Sequence, residues 1–470
     1  MKVLLVEPPK APLSIGGEDV FLFEPLALEY VGAGVDGEHE VRLLDMRLEP
    51  DLGATLQAFV PDIVGFTAYT VHVDVVKELA AEVKAQCPRA VTVVGGHHAT
   101  VVPDDFATPA VDLVVTGEGV AAFREIARRL EDDRGCHGVP GVGVVESSRV
   151  VITEPAEEVE PDALPFPARH LTAAYRDRYF SEWMQPLASM RTSRGCPFRC
   201  SFCAQWKLAC GRYYGRDPDR VVEELVGIDE EYVFFADDES LVDVDRMMIL
   251  ARRIEASGIR KRFFLYGRAD TIADNPGLLE AWRRAGLERV FVGLEFFRDD
   301  DLELINKGCS TAHNAAAVRI LDDLGIDIYA SFIIRPDFEH ADFAALRAYC
   351  RELDIGFASF AVLTPLPGTD LMDEVQHRLL TTEPAFFDFI HTVLPTTMPL
   401  RDFYAEYARL ITSATSLAQR IALLRKFTLT RLPWVFGITW RLLRRLRTVH
   451  RDYDGLESDS ARGQLRTHEA

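Results

Sequence analysis

Short apolar runs, each followed by helix-like sequence, recur along most of this chain, and that rhythm limits its fold more than any other feature. Residues 2–6, 40–44, 63–67, 90–94 and 113–115 read as buried strands, with helices at 25–34, 71–86 and 121–131. Six further runs follow, at 188–192, 232–236, 263–267, 289–293, 328–334 and 357–363, each leading into helical sequence. Strands that alternate with helices form parallel sheets covered by those helices. Residues 1–150 therefore predict a Rossmann-like α/β domain with ligands at the carboxyl ends of its strands. Residues 186–385 predict a partial (β/α)6 barrel with its chemistry at the same ends. Residues 151–185, rich in Pro and Glu, read as a linker, and 386–470 as a helical C-terminal region.

Just after the first of those six runs stand Cys196, Cys200 and Cys203, spaced C-x3-C-x2-C, with Phe202 before the last. Three thiolates on one short loop can hold three corners of a cubane iron–sulfur cluster and leave a fourth iron open. A zinc knuckle and a buried cysteine cluster are the alternatives. Zinc takes four ligands, usually as separated pairs, and the sequence offers no second pair. Cys210 and Cys309 read as small buried hydrophobes, and Cys87, Cys136 and Cys350 carry no pattern. Eight cysteines in 470 residues are no disulfide framework and suit a reducing compartment. The first residues, Met1-Lys-Val-Leu-Leu-Val-Glu-Pro-Pro, lack the apolar core and cleavage site of a signal peptide, so a cytoplasmic protein is expected. A net charge of −21 argues against nucleic-acid binding.

Unusual residues gather where the strands end. In the first segment these are Thr67-Ala-Tyr69-Thr70, Gly95-Gly96-His97-His98 and Gly117-Glu118-Gly119. Glycine there lets a large flat ligand approach the backbone. In the second segment Asp237-Asp238-Glu239, Arg268-Ala-Asp270, Glu295, Arg335-Pro-Asp337 and Leu363-Thr-Pro-Leu-Pro-Gly-Thr369 stand in the same places. Arg268 can fork onto a carboxylate, and Glu295 can accept from hydroxyls or an amino group. Asp237 and Asp238 either touch a ligand or cap the helix that follows.

The cysteine spacing, after a strand and the Gly195 turn, resembles the signature of the radical S-adenosylmethionine (SAM) enzymes. The glycine-rich strand ends ahead of it resemble the cobalamin-binding domain of that superfamily's largest subfamily. The resemblance implies a [4Fe-4S] cluster on Cys196, Cys200 and Cys203, with SAM on the open iron near Asp237, Asp238, Arg268 and Glu295. It implies cobalamin against Thr67, Tyr69 and Thr70, against Gly95, Gly96 and His97, and against Gly117, Glu118 and Gly119. No Asp-x-His-x-x-Gly element is present. Cobalamin is therefore expected with its dimethylbenzimidazole tail off and no histidine on cobalt, and His97 and His98 read as hydrogen-bonded loop residues. The first segment has no second cysteine trio, which disfavours a methylthiotransferase.

The implied reaction is methylation of an unactivated carbon. One SAM methylates the corrinoid, a second yields a 5′-deoxyadenosyl radical, and the substrate radical captures the methyl group. A reductase or flavodoxin-type electron donor is the implied protein partner. Arg335 stands where the family usually has glycine, which leaves the substrate geometry there open. Chain length, the 363–369 run and a basic tail are similar to the hopanoid C-3 methylases, implying a lipid substrate. A ring-forming cyclase or natural-product methylase of the same subfamily, or a non-catalytic corrinoid-binding regulator, are the alternatives. The intact cysteine trio argues against the last, since a binder needs no oxygen-sensitive cluster.

That tail differs from the rest of the chain. Residues 412–451 hold nine Lys and Arg and no Asp or Glu. Between the basic groups lies Leu432-Pro-Trp-Val-Phe-Gly-Ile-Thr-Trp440, far short of the ~20 apolar residues that cross a bilayer. It suits an interfacial helix on anionic lipid at the inner membrane surface, or a helix packed on the acidic body of the protein. Residues 457–470 are expected to be disordered.

Overall fold

The computed structural model describes residues 1–17, 20–454 and 456; the expected disorder of 457–470 lies outside them. The first sheet has seven strands: β1 (Lys2–Glu7), β2 (Glu40–Asp45), β3 (Ile63–Thr67), β4 (Val91–Gly95), β5 (Leu113–Val115), β6 (Val142–Glu146) and β7 (Arg149–Ile152). Their order is β2-β1-β3-β4-β5-β6-β7, the first five parallel and the last two antiparallel. In this doubly wound order the chain reverses direction between β1 and β3, which opens a ligand crevice outside the carboxyl ends. Apolar residues of β1 are buried on both faces, Leu4 and Val6 in one core and Val3 and Leu5 in the other. That is why these strands read as continuous apolar runs.

The sequence gives no strong signal for two elements here. Helix Leu52–Phe59 is only eight residues long; Asp51 caps it, accepting from the Ala54 N–H at 2.8 Å. The β6–β7 hairpin extends the parallel sheet with an antiparallel edge.

The second sheet comprises β8 (Leu187–Met190), β9 (Tyr232–Phe235), β10 (Arg262–Arg268), β11 (Leu287–Glu295), β12 (Asp327–Ile334) and β13 (Ala358–Val362). All six are parallel and follow chain order, and β8 and β13 do not pair, so the barrel stays open. Alternate residues divide between two cores. Phe263, Leu265, Val290 and Val292 face the outer helices, while Phe264, Phe291 and Tyr329 fill the lumen. At the lumen floor Arg289 is fully buried, ion-paired to Glu182 and ringed by Trp183, Phe264, Tyr329 and Phe357 at 4.4–5.4 Å.

Residues 151 and 152 belong to β7, and the rest of 151–185 forms an ionic clasp between the two sheets. Arg169 pairs with Glu24 and Glu224 at 2.8 and 2.7 Å, and Arg176 pairs with Glu24 and Glu230. Helix Leu400–Ser413 buries Phe403, Tyr404 and Tyr407 against the barrel. In helix Leu432–Leu446 only Ile438 and Leu446 are buried, and in helix Leu417–Leu424 none is. Among the described residues no helix is long and apolar enough to cross a membrane.

Candidate active site

The cysteines lie on the loop between β8 and a short helix, Gln205–Leu208. The base of that loop is held by two carboxylates from the end of β9. Asp237 accepts from the Thr192 N–H at 2.6 Å, the Thr192 hydroxyl at 2.7 Å and the Ser193 N–H at 2.8 Å. Asp238 accepts from the Gly195 N–H at 2.7 Å. Asp237 thus serves the loop and caps no helix. Arg246 adds a further brace, donating to the Thr192 carbonyl at 2.6 Å.

All three cysteines are free, with Cys200 buried and the other two half-buried. Burial pushes the Cys196 thiol up to about 12, with Glu239 and the other two cysteines adding to it. Burial likewise pushes Cys203 up to about 11. Thiols that resist ionisation, as Cys196 and Cys203 do, need a cationic centre to become thiolates, because metal binding deprotonates its ligands. No group of three or more His, Cys, Asp or Glu among the described residues is drawn together as for a single ion. A cubane places each thiolate on a different iron, so its three cysteines need not converge on one ion.

Beside the loop is a buried charge network. Arg268 forks onto Asp270 at 3.0 and 2.8 Å, and the Lys307 ammonium meets Glu295 at 2.7 Å. Burial pushes Glu239 up to about 7; it accepts from the Arg268 and Leu241 N–H groups at 3.3 Å. Asp270 and Glu239, which stand at strand ends in the sequence, belong to this network, and Lys307 joins them without such a position. Asn306-Lys-Gly-Cys309, twelve residues beyond Glu295, was the available signal for Lys307. Arg335 is drawn away to Asp301 and Asp337. Cys309 is half-buried near this network, whereas Cys210, expected to be buried, is exposed. It closes the short helix in a left-handed turn with φ +51°.

Across the boundary a cavity of about 300 Å³ opens between the two sheets. Its floor is apolar, formed by Leu5, Leu28, Val93, Val115 and Phe123. Thr67, Gly95, Gly96 and His97 line its rim, as do Gly117, Glu118 and Gly119, and Asp238 faces them from the barrel. Gly96 has φ +102°, and a Cβ there would lie 2.7 Å from Thr67 Oγ1 and 2.8 Å from the Ala68 nitrogen. Gly117, at φ +74°, would set a Cβ 2.7 Å from that of Ala156. An apolar pocket beneath a glycine-rich rim suits a flat corrin with an aromatic base.

Tyr69 and Thr70 stand outside the cavity lining. Tyr69 is 58% exposed, yet burial and then Glu7 push its hydroxyl up, with Asp238 adding. Thr70 meets His98 Nδ1 at 3.1 Å, and His98 Nε2 meets Asp105 at 2.8 Å, so His98 is committed within its loop. His97 lines the cavity, its ring 6.1 Å from that of Tyr69, and burial lowers its pKa. Arg191 reaches from the barrel to Glu118 at 3.4 Å.

Two family models match the chain, the B12 binding domain over residues 14–127 and the radical SAM superfamily over 190–350. The hopanoid C-3 methylase of Methylococcus capsulatus is 33% identical over 87% of this chain and 79% of its own length. An uncharacterized methyltransferase of Pyrococcus horikoshii is 31% identical over 81% of this chain and 85% of its own. Among solved structures, the radical SAM methyltransferase TsrM from Kitasatospora setae, with cobalamin and a [4Fe-4S] cluster bound, aligns with a TM-score of 0.69. The match has 20% identity and covers 96% of this chain and 99% of that one. The cobalamin-dependent radical enzyme OxsB aligns at 0.71, with 17% identity, over 96% and 71%. With a [4Fe-4S] cluster, SAM and cobalamin as its cofactors, this chain belongs to the cobalamin-dependent radical SAM methyltransferases.

Proposed function

We propose that this enzyme methylates an unactivated carbon of a hopanoid-type polycyclic lipid. The observation that carries this reading is the barrel lumen. Above the solid Arg289 floor, the next inward positions are Ala236, Tyr266, Phe291, Gly293, Ser331 and Ser359, all half-buried inside the barrel. Ala236, Ser331 and Ser359 are small there, the Gly293 position is covered by the Glu295 and Lys307 side chains, and two aromatic rings give flat apolar walls. The polar groups are few, and the Ser359 hydroxyl lies near that of Tyr329. Such a lining suits a ring-rich hydrocarbon with little to hydrogen-bond. The relative from Methylococcus capsulatus, named a hopanoid C-3 methylase, supports the same class.

The bound cofactors supply a substrate radical and the methyl group it captures. The chain's own residues hold the geometry and exclude water. Asp237 and Asp238 fix the cysteine loop, the glycine rim admits the corrin, and the sealed floor closes the barrel from below. Anaerobic reconstitution with a pentacyclic hopene and SAM should yield one methylated lipid by mass spectrometry. Cleavage of SAM with no methylated lipid, in the presence of that hopene, would overturn the substrate assignment.

A lipid substrate requires access to the bilayer, and we assign that contact to residues 412–451 on the cytoplasmic face. Trp434 packs on Phe180, so this part of the segment lies against the body. Leu429, Phe436 and Trp440 are 84%, 59% and 60% exposed, with Arg444 over the Trp440 ring. Exposed aromatics beside arginines fit an anionic headgroup boundary. Sedimentation with anionic vesicles at low salt, lost in a chain ending at Thr412, is expected; equal sedimentation of both would exclude the segment. The electron for SAM cleavage is assigned to a reductase or flavodoxin-type donor.

A further inference from the structure

We propose that Arg268 tunes the cluster through its Cys200 corner and does not hold the SAM carboxylate. Arg268 is 5% exposed, and its guanidinium lies 3.7 Å from the centre of the Phe198 ring. Nε and Nη2 fork onto Asp270, and Nη2 also donates to the Lys307 carbonyl at 2.5 Å. Nη1 reaches Cys200 Sγ at 3.9 Å. A guanidinium has five N–H groups, and four are engaged here. Both edges that could grip a carboxylate include Nη2, whose two hydrogens are taken. The single N–H left on Nη1 cannot make the two parallel bonds by which arginine recognises a carboxylate.

Cys200 is also the most enclosed of the three cluster ligands. The positive charge of Lys307 reaches it as well, from an ammonium anchored by Glu295. An N–H donor and positive charge beside a ligand sulfur stabilise the more negative, reduced cluster, and so raise its reduction potential. The inference rests on the cluster assignment to Cys196, Cys200 and Cys203, which iron content checks separately. No bond forms or breaks in the step concerned; the cluster takes one electron from a low-potential reductant.

The test is potentiometric titration of the reduced-cluster paramagnetic resonance signal in the reconstituted full chain, without SAM. In Arg268→Gln the ratio of reduced to oxidised cluster at a fixed potential should fall about tenfold, a midpoint more negative by about 59 mV for one electron. Arg268→Lys keeps the charge and loses the directed N–H, so it should fall by less. An unchanged midpoint in Arg268→Gln with iron content intact would overturn the proposal. Loss of the SAM-induced change in the signal, with that midpoint unchanged, would return Arg268 to SAM binding. Should Arg268→Gln not retain iron, Arg268→Lys carries the test, and a midpoint equal to the parent's overturns the proposal.

Discussion

Gly95, Gly96, Gly117 and Gly119 leave the rim of the first sheet bare, whereas Asp237, Glu239, Arg268, Glu295 and Lys307 crowd the end of the second. The contrast follows from what each face receives. A corrin is broad and flat, and an apolar floor with bare backbone at its rim is what would suit it. A cluster and SAM carry charge, and charge in a dry site must meet groups already paired and fixed in place. Space on one face and paired charge on the other should therefore fail independently.

The sharpest way to break that comparison is to remove one cofactor and count the other. Replacing Cys196, Cys200 and Cys203 together by Ala should abolish the cluster, its absorbance and all SAM cleavage, while bound corrinoid stays near the parent's stoichiometry. Four irons per chain in that variant would refute the ligand assignment. Loss of corrinoid with the iron would show that the two faces are one cooperative unit.

The converse variant is Gly96→Val. Its side chain would start 2.7–2.8 Å from Thr67 and Ala68, at a backbone angle that costs a non-glycine residue ~1–3 kcal/mol. Corrinoid binding should be nearly lost and iron content unchanged, as read from absorbance and metal analysis of the same sample. Retained corrinoid would mean that the rim does not contact the corrin.

The same contrast decides how much could be read before any coordinates. The glycine rim was legible because it is local: each Gly pair follows its strand directly, and strand ends are where an α/β sheet binds. The five parallel strands of the first sheet and the six of the second were legible because runs buried on one or both faces are continuous in sequence. The charged face was only half legible. Asp237 and Asp238 stand at a strand end, but that they grip a loop 43–45 residues earlier follows from β8 and β9 lying side by side. Lys307 meets Glu295 because the chain after β11 doubles back, and nothing local marks such a pairing. The clasp was read as linker because Pro and Glu dominate the start of 151–185; its arginines find their partners only in the fold.

That clasp holds the two faces in register, and its charge balance makes a prediction of smaller size. Arg169, Arg176 and Arg216 pair among the buried Glu24, Glu29, Glu224 and Glu230, with half-exposed Asp162 also on Arg216, so four buried carboxylates and one at the edge share three guanidiniums. The surplus falls on Glu29. One of its oxygens accepts from the Thr172 hydroxyl, and the other has no hydrogen-bond partner. Burial, and then the Glu24 charge, push Glu29 from 4.5 up to about 8. The folded state thus holds this proton more tightly than the unfolded chain does. Its contribution to stability is complete below pH ~4.5 and is lost as pH rises through ~8. Between pH 6 and pH 9 the parent should lose about 3 kcal/mol from this group, two to three pKa units' worth at 1.36 kcal/mol each. Glu29→Gln is neutral at every pH and should lack that decline, matching the parent near pH 4 and exceeding it by a margin that grows from pH 6 to pH 9 in urea midpoints. An equal decline in both proteins would mean that all four carboxylates are ionised across the range, and that the two faces are joined by a seam indifferent to pH.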